Sequence, residues 1–158
     1  MTLPQSRFTV SVARDEDFPE LVDAMWAAFE NPFQALLRLY FPLVDNDRAK
    51  SLAHWTPILL EDAHKEAADM SWIKVVDTQS PGGNKIVAVA QWYFYRENPY
   101  ARAEANGERP LVAEWYPEGV TREFVTTALR QFVKPRENMA RQPHACELST
   151  PYSCYCVS

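Results

Sequence analysis

Two β-branched runs joined by a turn constrain the fold of this chain more than any other feature. Residues 71–77 read Ser-Trp-Ile-Lys-Val-Val-Asp, residues 85–95 read Lys-Ile-Val-Ala-Val-Ala-Gln-Trp-Tyr-Phe-Tyr, and Pro-Gly-Gly-Asn stands between them at 81–84. Runs of this kind separated by Pro, Gly and Asn predict paired antiparallel strands. The second run is apolar at both odd and even positions, which predicts an interior strand covered by helices on both faces.

Helical patterns precede the hairpin. After an alternating strand over 7–14, Asp17 and Glu20 fit the capping box of an amphipathic helix whose apolar residues continue to Phe29. A short second helix is predicted over 33–40. The next helical region opens near Asp47, and we expect Pro57 to interrupt it, with Thr56 capping a new segment.

The chain after the hairpin predicts one helix and one strand. Residues 96–116 contain turn residues and little periodicity, so we expect a long surface loop. Thr121 then caps a helix that Pro135 ends or kinks, and residues 144–150 form a further strand. The last residues, 150–158, show neither helical nor turn logic.

Composition narrows the class of protein. The chain has 158 residues, of which 47% are hydrophobic, and its net charge is −5. One folded domain over 1–158 is therefore expected, and the acidic balance argues against nucleic acid as a partner. We see no apolar stretch for a membrane and no signal peptide, so a cytoplasmic location is expected. The cysteines at 146, 154 and 156 lack zinc-ligand spacing, so no metal site is predicted.

Three segments, taken in order, resemble the front half of the GNAT family of N-acyltransferases, in its fungal-type branch. They are Phe-Thr-Val-Ser-Val-Ala-Arg-Asp-Glu-Asp at 8–17, Ala-Phe-Glu-Asn-Pro-Phe at 28–33 and Ile-Val-Ala-Val-Ala-Gln-Trp at 86–92. The resemblance covers 8–149. It implies an α+β fold with a mixed sheet and flanking helices, and transfer of an acetyl group from acetyl-CoA to a small-molecule amine.

The resemblance also implies a set of site residues. Glu147 takes the position of a general base that draws a proton from the acceptor amine, and Leu148 and Ser149 take the positions that meet the pantetheine arm. The acceptor pocket is then lined by four aromatic residues, Phe29, Phe33, Trp92 and Tyr93. Two plainer interpretations stay open: Glu147 as a solvated residue of an edge strand, and the aromatic residues as ordinary core.

One family motif has no counterpart in this chain. Family members bind the pyrophosphate with a loop Gln/Arg-x-x-Gly-x-Gly/Ala after the central strand, whereas the four glycines here lie at 82, 83, 107 and 119. The glycines at 82 and 83 join two strands and open no helix, so they read as a turn. We therefore expect a domain incomplete on its C-terminal side, with an atypical tail over 150–158, inactive and without tight acetyl-CoA binding.

Two other functions remain in view. The first is a non-catalytic binding module, or a chain that associates with itself through the sheet edge that an incomplete domain exposes. The second is a small α+β cone dehydratase or cyclase, with a dyad drawn from His54 or His144 and Asp45 or Asp62. The cone is the weaker alternative, because it needs a sheet of several long strands after the helices.

Overall fold

The computed structural model describes residues 6–97, 111–139, 144–150 and 153–157. Its strands are β1 (Phe8–Val12), β2 (Met70–Asp77), β3 (Lys85–Tyr95), β4 (His144–Thr150) and β5 (Ser153–Val157), and its helices are α1 (Phe18–Glu30), α2 (Ala35–Tyr40), α3 (Arg48–Lys65) and α4 (Val120–Met139). The α+β class predicted from the sequence is confirmed. The loop predicted over 96–116 falls mostly on residues 98–110, outside the described residues.

The chain divides into two compact units. The first comprises Met1–Gln34 with Leu43–Ala90, and the second comprises Ala35–Pro42 with Gln91–Ser158. Neighbouring strands follow the order β1-β2-β3 in the first unit and β3-β4-β5 in the second, since β3 belongs to the first unit as far as Ala90. The pairs β1-β2, β3-β4 and β4-β5 are antiparallel.

Helix α1 forms the core of the first unit, as its apolar periodicity predicts. Its buried residues are Phe18, Leu21, Val22, Met25 and Trp26. The Phe18 ring meets the Trp72 ring of β2 edge-on, with centroids 6.1 Å apart. Helix α1 therefore covers the face of the β1-β2 pair that carries Trp72.

The predicted capping box at the start of α1 does not form. The Asp17 side chain accepts the backbone N–H of Arg14 at 2.7 Å and pairs with Lys74 of β2. The Glu20 carboxylate accepts the backbone N–H of Ile86 at 2.8 Å, which ties α1 to β3. Both carboxylates therefore bind groups outside their own helix, which local sequence does not reveal.

Helix α3 runs without a break through Pro57, so the predicted interruption is wrong. The Asp47 side chain caps the helix by accepting the Lys50 backbone N–H at 3.0 Å. Trp55 and Leu59 are buried on either side of the proline, and tertiary burial of this kind offsets the missing backbone hydrogen bond. Helix α4 likewise continues through Pro135.

Helix α4 belongs to the second unit and is hydrogen-bonded to the segment that precedes it. It begins at Val120 rather than being capped by Thr121, and the carbonyl of Gly119, whose φ is 133°, accepts the Glu123 N–H at 3.1 Å. The Thr126 hydroxyl accepts the buried backbone N–H of Ala113 at 3.1 Å. This hydrogen bond connects segment 111–116 to α4.

Segment 111–116 is also fastened to α2 within the same unit. Trp115 Nε1 donates to the carbonyl of Leu39 at 2.9 Å, and the Tyr116 hydroxyl donates to the carbonyl of Arg38. Burial raises the pKa of Tyr116. These contacts join α2 to α4 although about eighty residues separate them along the chain.

Two further expectations about strands are corrected. Contrary to the prediction from its apolar run, strand β3 is not buried throughout, since Val87 is 46% exposed and Phe94 is 51% exposed. The tail after Thr150 is not patternless, because Ser153–Val157 forms β5 and pairs with β4. Strand β4 is consequently paired on both sides and is not the exposed edge that an incomplete sheet predicts.

Candidate functional site

The predicted catalytic and cofactor positions lie on β4, next to the second half of β3. Glu147 is the register partner of Trp92, and Leu148 is the register partner of Gln91. Directly opposed residues of an antiparallel pair have Cβ atoms about 4.5–5.5 Å apart. The structure therefore brings the predicted base position together with one predicted acceptor-pocket residue.

Ser149 differs from its two neighbours in its pairing. On the other side of β4, the register with β5 runs regularly from Ala145 to Leu148 and then shifts between Leu148 and Thr150. Ser149 occupies this irregularity. Irregular pairing of this kind leaves a residue outside the regular ladder, and the cofactor contact predicted for Ser149 stays a prediction.

The four aromatic residues predicted to line an acceptor pocket belong to both units. Phe29 and Phe33 lie in the first unit, where Phe29 is half-buried and Phe33 is 65% exposed. Trp92 and Tyr93 lie in the second unit, and both are half-buried. The pocket stays a prediction.

Strand β3 presents Trp92 and Tyr93 to opposite faces. The Trp92 ring stacks on Phe94 with centroids 6.4 Å apart, whereas the Tyr93 ring stacks on Tyr95 with centroids 5.4 Å apart. Consecutive residues of a strand alternate between its two faces. Of the two, Trp92 is the one whose position opposes Glu147.

Gln91 is a polar residue that sequence reasoning missed. It is only 5% exposed, and its Oε1 has no hydrogen-bond partner among the described residues. An amide oxygen buried without a partner costs about 1–3 kcal/mol, so its burial calls for an explanation such as a bound water or a functional role. The sequence does offer one indication of this residue, because Gln91 is the single strongly polar residue inside the apolar run 86–94.

Three carboxylates of the first unit are held by arginines of the same unit. Arg48 of α3 donates to Asp23 at 2.6 Å and to Glu30 at 2.7 Å, both on α1. The hydrogen bond to Glu30 is the largest of the effects that raise the pKa of Arg48. At the sheet edge, the hydrogen bond from Arg7 lowers the pKa of Asp77. These are structural ion pairs that link secondary-structure elements.

The residues of the dehydratase alternative are not brought together in the first unit. His54 and Asp62 both lie on α3, eight positions apart, which corresponds to about 12 Å along a helix axis. Asp45 pairs instead with Lys50 at 2.8 Å. In the first unit, His64 lies 3.0 Å from Asp15 on the exposed surface.

Metal-ligand clusters and membrane spans were sought within the described ranges. No group of three or more His, Cys, Asp or Glu residues there could hold a metal ion. The register of β4 and β5 places Cys146 opposite Cys156. None of the helices in the described part of the chain is both long and apolar enough to cross a bilayer.

A shallow cavity of about 300 Å³ precedes α4 and is lined by residues 116–121. Glu118 stands on its rim and lies 3.8 Å from Arg122, so opposite charges are present at the same opening. A carboxylate at this place opposes the binding of an anion at the helix start. None of the predicted site residues lines this cavity.

Comparison with protein-family models, with curated proteins and with solved structures finds no match to this chain.

Proposed function

We propose that this chain is a domain of the GNAT acetyltransferase type, and that its 158 residues do not by themselves bind acetyl-CoA or transfer its acetyl group. The element order supports this assignment: a strand, helices, a pair of strands, a long helix and then a strand that pairs with β3. In this interpretation β4 takes the place of the strand that lines the acyl-CoA cleft.

The register of β3 and β4 is the observation that carries the proposal. It sets the position of Glu147 opposite Trp92 on one face of the two neighbouring strands, and the position of Leu148 opposite the buried Gln91 on the other face. In acetyl transfer, the amine nitrogen bonds to the acetyl carbon, the amine proton passes to a base and the CoA sulfur leaves. Glu147 is the residue proposed to receive that proton.

Cofactor binding is the part of the function that this chain is proposed to lack. No glycine follows position 119, and β4 is followed by strand β5 where the resemblance implies a loop and a helix. A ring of backbone N–H groups at a helix start supplies several charge-assisted hydrogen bonds to a pyrophosphate, each contributing about 1.5–3 kcal/mol. Without them a micromolar site falls below detection.

The test is to add a loop and helix of the family pattern. Residues 151–158 are replaced by a segment with the pattern Gln-x-x-Gly-x-Gly followed by a helix, and acetyl-CoA is titrated into the product by calorimetry. We expect saturable one-to-one binding. The matched control carries valine at both glycines of the new loop and should not bind, because valine disfavours the positive φ that lets the N–H groups converge.

A second variant tests the proposed base in the extended protein. Glu147→Gln should retain acetyl-CoA binding and lose the pH-dependent limb of amine acetylation, because an amide cannot accept the proton. Equal binding by the glycine and valine forms of the extension would contradict the proposed ancestry. Retention of the pH limb in Glu147→Gln would contradict the role of Glu147. The proposed setting is the cytoplasm, with a small-molecule amine as the acceptor.

A non-catalytic binding module is the second candidate function. The observation that favours it is the number of large apolar side chains on the surface: Phe8, Val10, Val12, Phe33, Leu43, Val87, Phe94, Val120, Phe124 and Phe132. Exposed apolar residues mark interaction surfaces when they are contiguous. Three of these exposed residues, Phe8, Val10 and Val12, lie next to one another on one face of strand β1.

A further inference from the structure

Strand β1 is an outer strand of the first unit and is exposed throughout its length. Its sequence, Phe-Thr-Val-Ser-Val, contains no charged residue and no proline. Phe8, Val10 and Val12 are 48%, 69% and 59% exposed. An uncharged strand of β-branched residues at a sheet edge is the kind of segment that pairs with another chain.

The backbone hydrogen bonds show which groups of β1 face outward. The carbonyl of Arg7 accepts the N–H of Thr78, and the N–H of Ala13 donates to the carbonyl of Trp72. Bonds toward an antiparallel neighbour recur at every second residue, so the odd-numbered residues 7–13 bond to β2. The N–H and C=O groups of Phe8, Val10 and Val12 therefore point away from β2.

The usual protections of an edge strand are missing from β1. Natural edges are commonly blocked by a lysine, a proline or a bulge. Here the register with β2 runs without a shift from Phe8 opposite Asp77 to Val12 opposite Ile73. The edge is thus uncharged and regular in its pairing, and among the described residues it is exposed over all five positions.

The side chains beside this edge form an apolar face. Trp72 packs against Phe18 of α1. Ile73 and Val75 lie one and three positions further along β2, so they point to the face opposite α1. Val12 and Val10 are their register partners and share that face. A strand added at β1 would extend this face as well as the backbone ladder.

We propose that β1 pairs with β1 of a second copy of this chain, antiparallel, about a two-fold axis at Val10. In this register Val10 opposes Val10 of the second copy, and Phe8 opposes its Val12. All five residues of the strand then pair, and the outward groups form about six backbone hydrogen bonds across the axis. This interface is independent of the proposed acetyltransferase function.

The flanking charges favour a second copy as the occupant. In this register Arg7 opposes Ala13 of the other copy and Arg14 opposes its Ser6, so no two arginines face each other. Each arginine also has a carboxylate within its own chain: Asp77 lies 2.6 Å from Arg7 and Glu16 lies 3.6 Å from Arg14. The edge is therefore nearly neutral and places no like charges opposite one another in this register, despite the net charge of −5 per chain.

A charge-swap experiment tests the axis directly. Val10→Lys and Val10→Glu each place two like charges opposite one another across the axis, and each should weaken dimerisation at least about tenfold in sedimentation velocity. Mixed in equal amounts, the two variants should form a heterodimer, because lysine then opposes glutamate. Residue 10 is 69% exposed, so both variants should keep the unfolding midpoint of the unmodified chain to within a few degrees.

The matched control is Val87→Lys. Val87 is an exposed apolar residue of β3, 46% exposed, and it does not lie on the β1 edge. It should leave dimerisation unchanged. A monomeric unmodified chain at concentrations into the hundred-micromolar range would overturn the proposal. So would failure of the two Val10 variants to combine, or equal loss of association in Val87→Lys.

Discussion

The Lys74–Asp17 ion pair is the contact of the first unit that a single substitution tests most sharply. The two charged atoms lie 2.5 Å apart, both side chains are only 16% exposed, and the pair joins β2 to the turn before α1. Lys74→Met keeps an unbranched chain of similar length and removes the charge. The substitution therefore isolates the ion pair from the packing of the lysine stem.

The magnitude follows from the degree of burial. Exposed ion pairs contribute about 0–1 kcal/mol, whereas breaking a fully buried pair costs about 3–5 kcal/mol. Because this pair retains some contact with water, we expect Lys74→Met to lower the free energy of unfolding by about 1–2 kcal/mol at neutral pH. The Asp17 carboxylate keeps the Arg14 N–H after the substitution, which limits the loss.

The loss should depend on pH in a defined direction. Partial burial acts to raise the pKa of Asp17, but the hydrogen bonds from Lys74 and the Arg14 N–H outweigh it, so this pKa is lowered from 3.8. A carboxylate whose pKa is lowered by folding stabilises the protein above its unfolded pKa, and this stabilisation disappears as the pH falls through the folded value. The difference between the two proteins should therefore be complete at neutral pH and vanish in strong acid.

Urea unfolding followed by tryptophan fluorescence provides the measurement. Lys65→Met is the matched control, because Lys65 forms an exposed pair with Glu61 at 2.8 Å on the surface of α3. It should leave the unfolding midpoint nearly unchanged. Equal effects of Lys74→Met and Lys65→Met would refute the argument from burial. A loss in Lys74→Met that persists unchanged in strong acid would refute the argument from the Asp17 charge.

Two further predictions concern single hydrogen bonds. Thr126→Val keeps the side-chain shape but removes the acceptor of the buried Ala113 N–H. Urea unfolding should therefore show a free energy of unfolding lower by about 1–3 kcal/mol. An unchanged midpoint would show that this N–H finds another partner. Asp47→Ala removes the acceptor that caps the Lys50 N–H, so it should lower the free energy of unfolding by about 1 kcal/mol. The control Glu66→Ala, at the exposed far end of α3, should lower it much less. Equal losses in the two variants would contradict the assigned cap.

The amphipathic elements could be predicted from the sequence because local periodicity and tertiary burial agree in them. The buried residues of α1 are those its helical spacing selects, from Phe18 to Trp26. The hairpin turn and the strands on both sides of it also lie where the Pro-Gly-Gly-Asn segment places them. In these segments a single pattern specifies both the element and its buried face.

Tertiary contacts explain the elements that could not be predicted. Pro57 is a strong local signal for a break, yet α3 continues because Trp55 and Leu59 are buried around it. Asp17 and Glu20 have the spacing of a capping box, yet their partners are Lys74 and the Ile86 N–H, far away in sequence. Strand β5 has no pattern of its own, and its pairing with β4 defines it.

The candidate site rests on the resemblance and stays a prediction. The resemblance gave Glu147 the role of a base and Trp92 a place in the acceptor pocket, and the register sets these two positions opposite each other on β4 and β3. Strand alternation, which is visible in sequence, already separates Trp92 from Tyr93. The burial of Gln91 depends on the packing around β3, and a single sequence does not determine it.

Titration of the 158-residue chain with acetyl-CoA tests the central claim most directly. The chain presents no glycine after position 119 to close a loop on the pyrophosphate, and its net charge of −5 gives no long-range attraction for a polyanion. Isothermal calorimetry should therefore show heats of dilution alone across the micromolar range. Saturable one-to-one binding in that range would contradict the account.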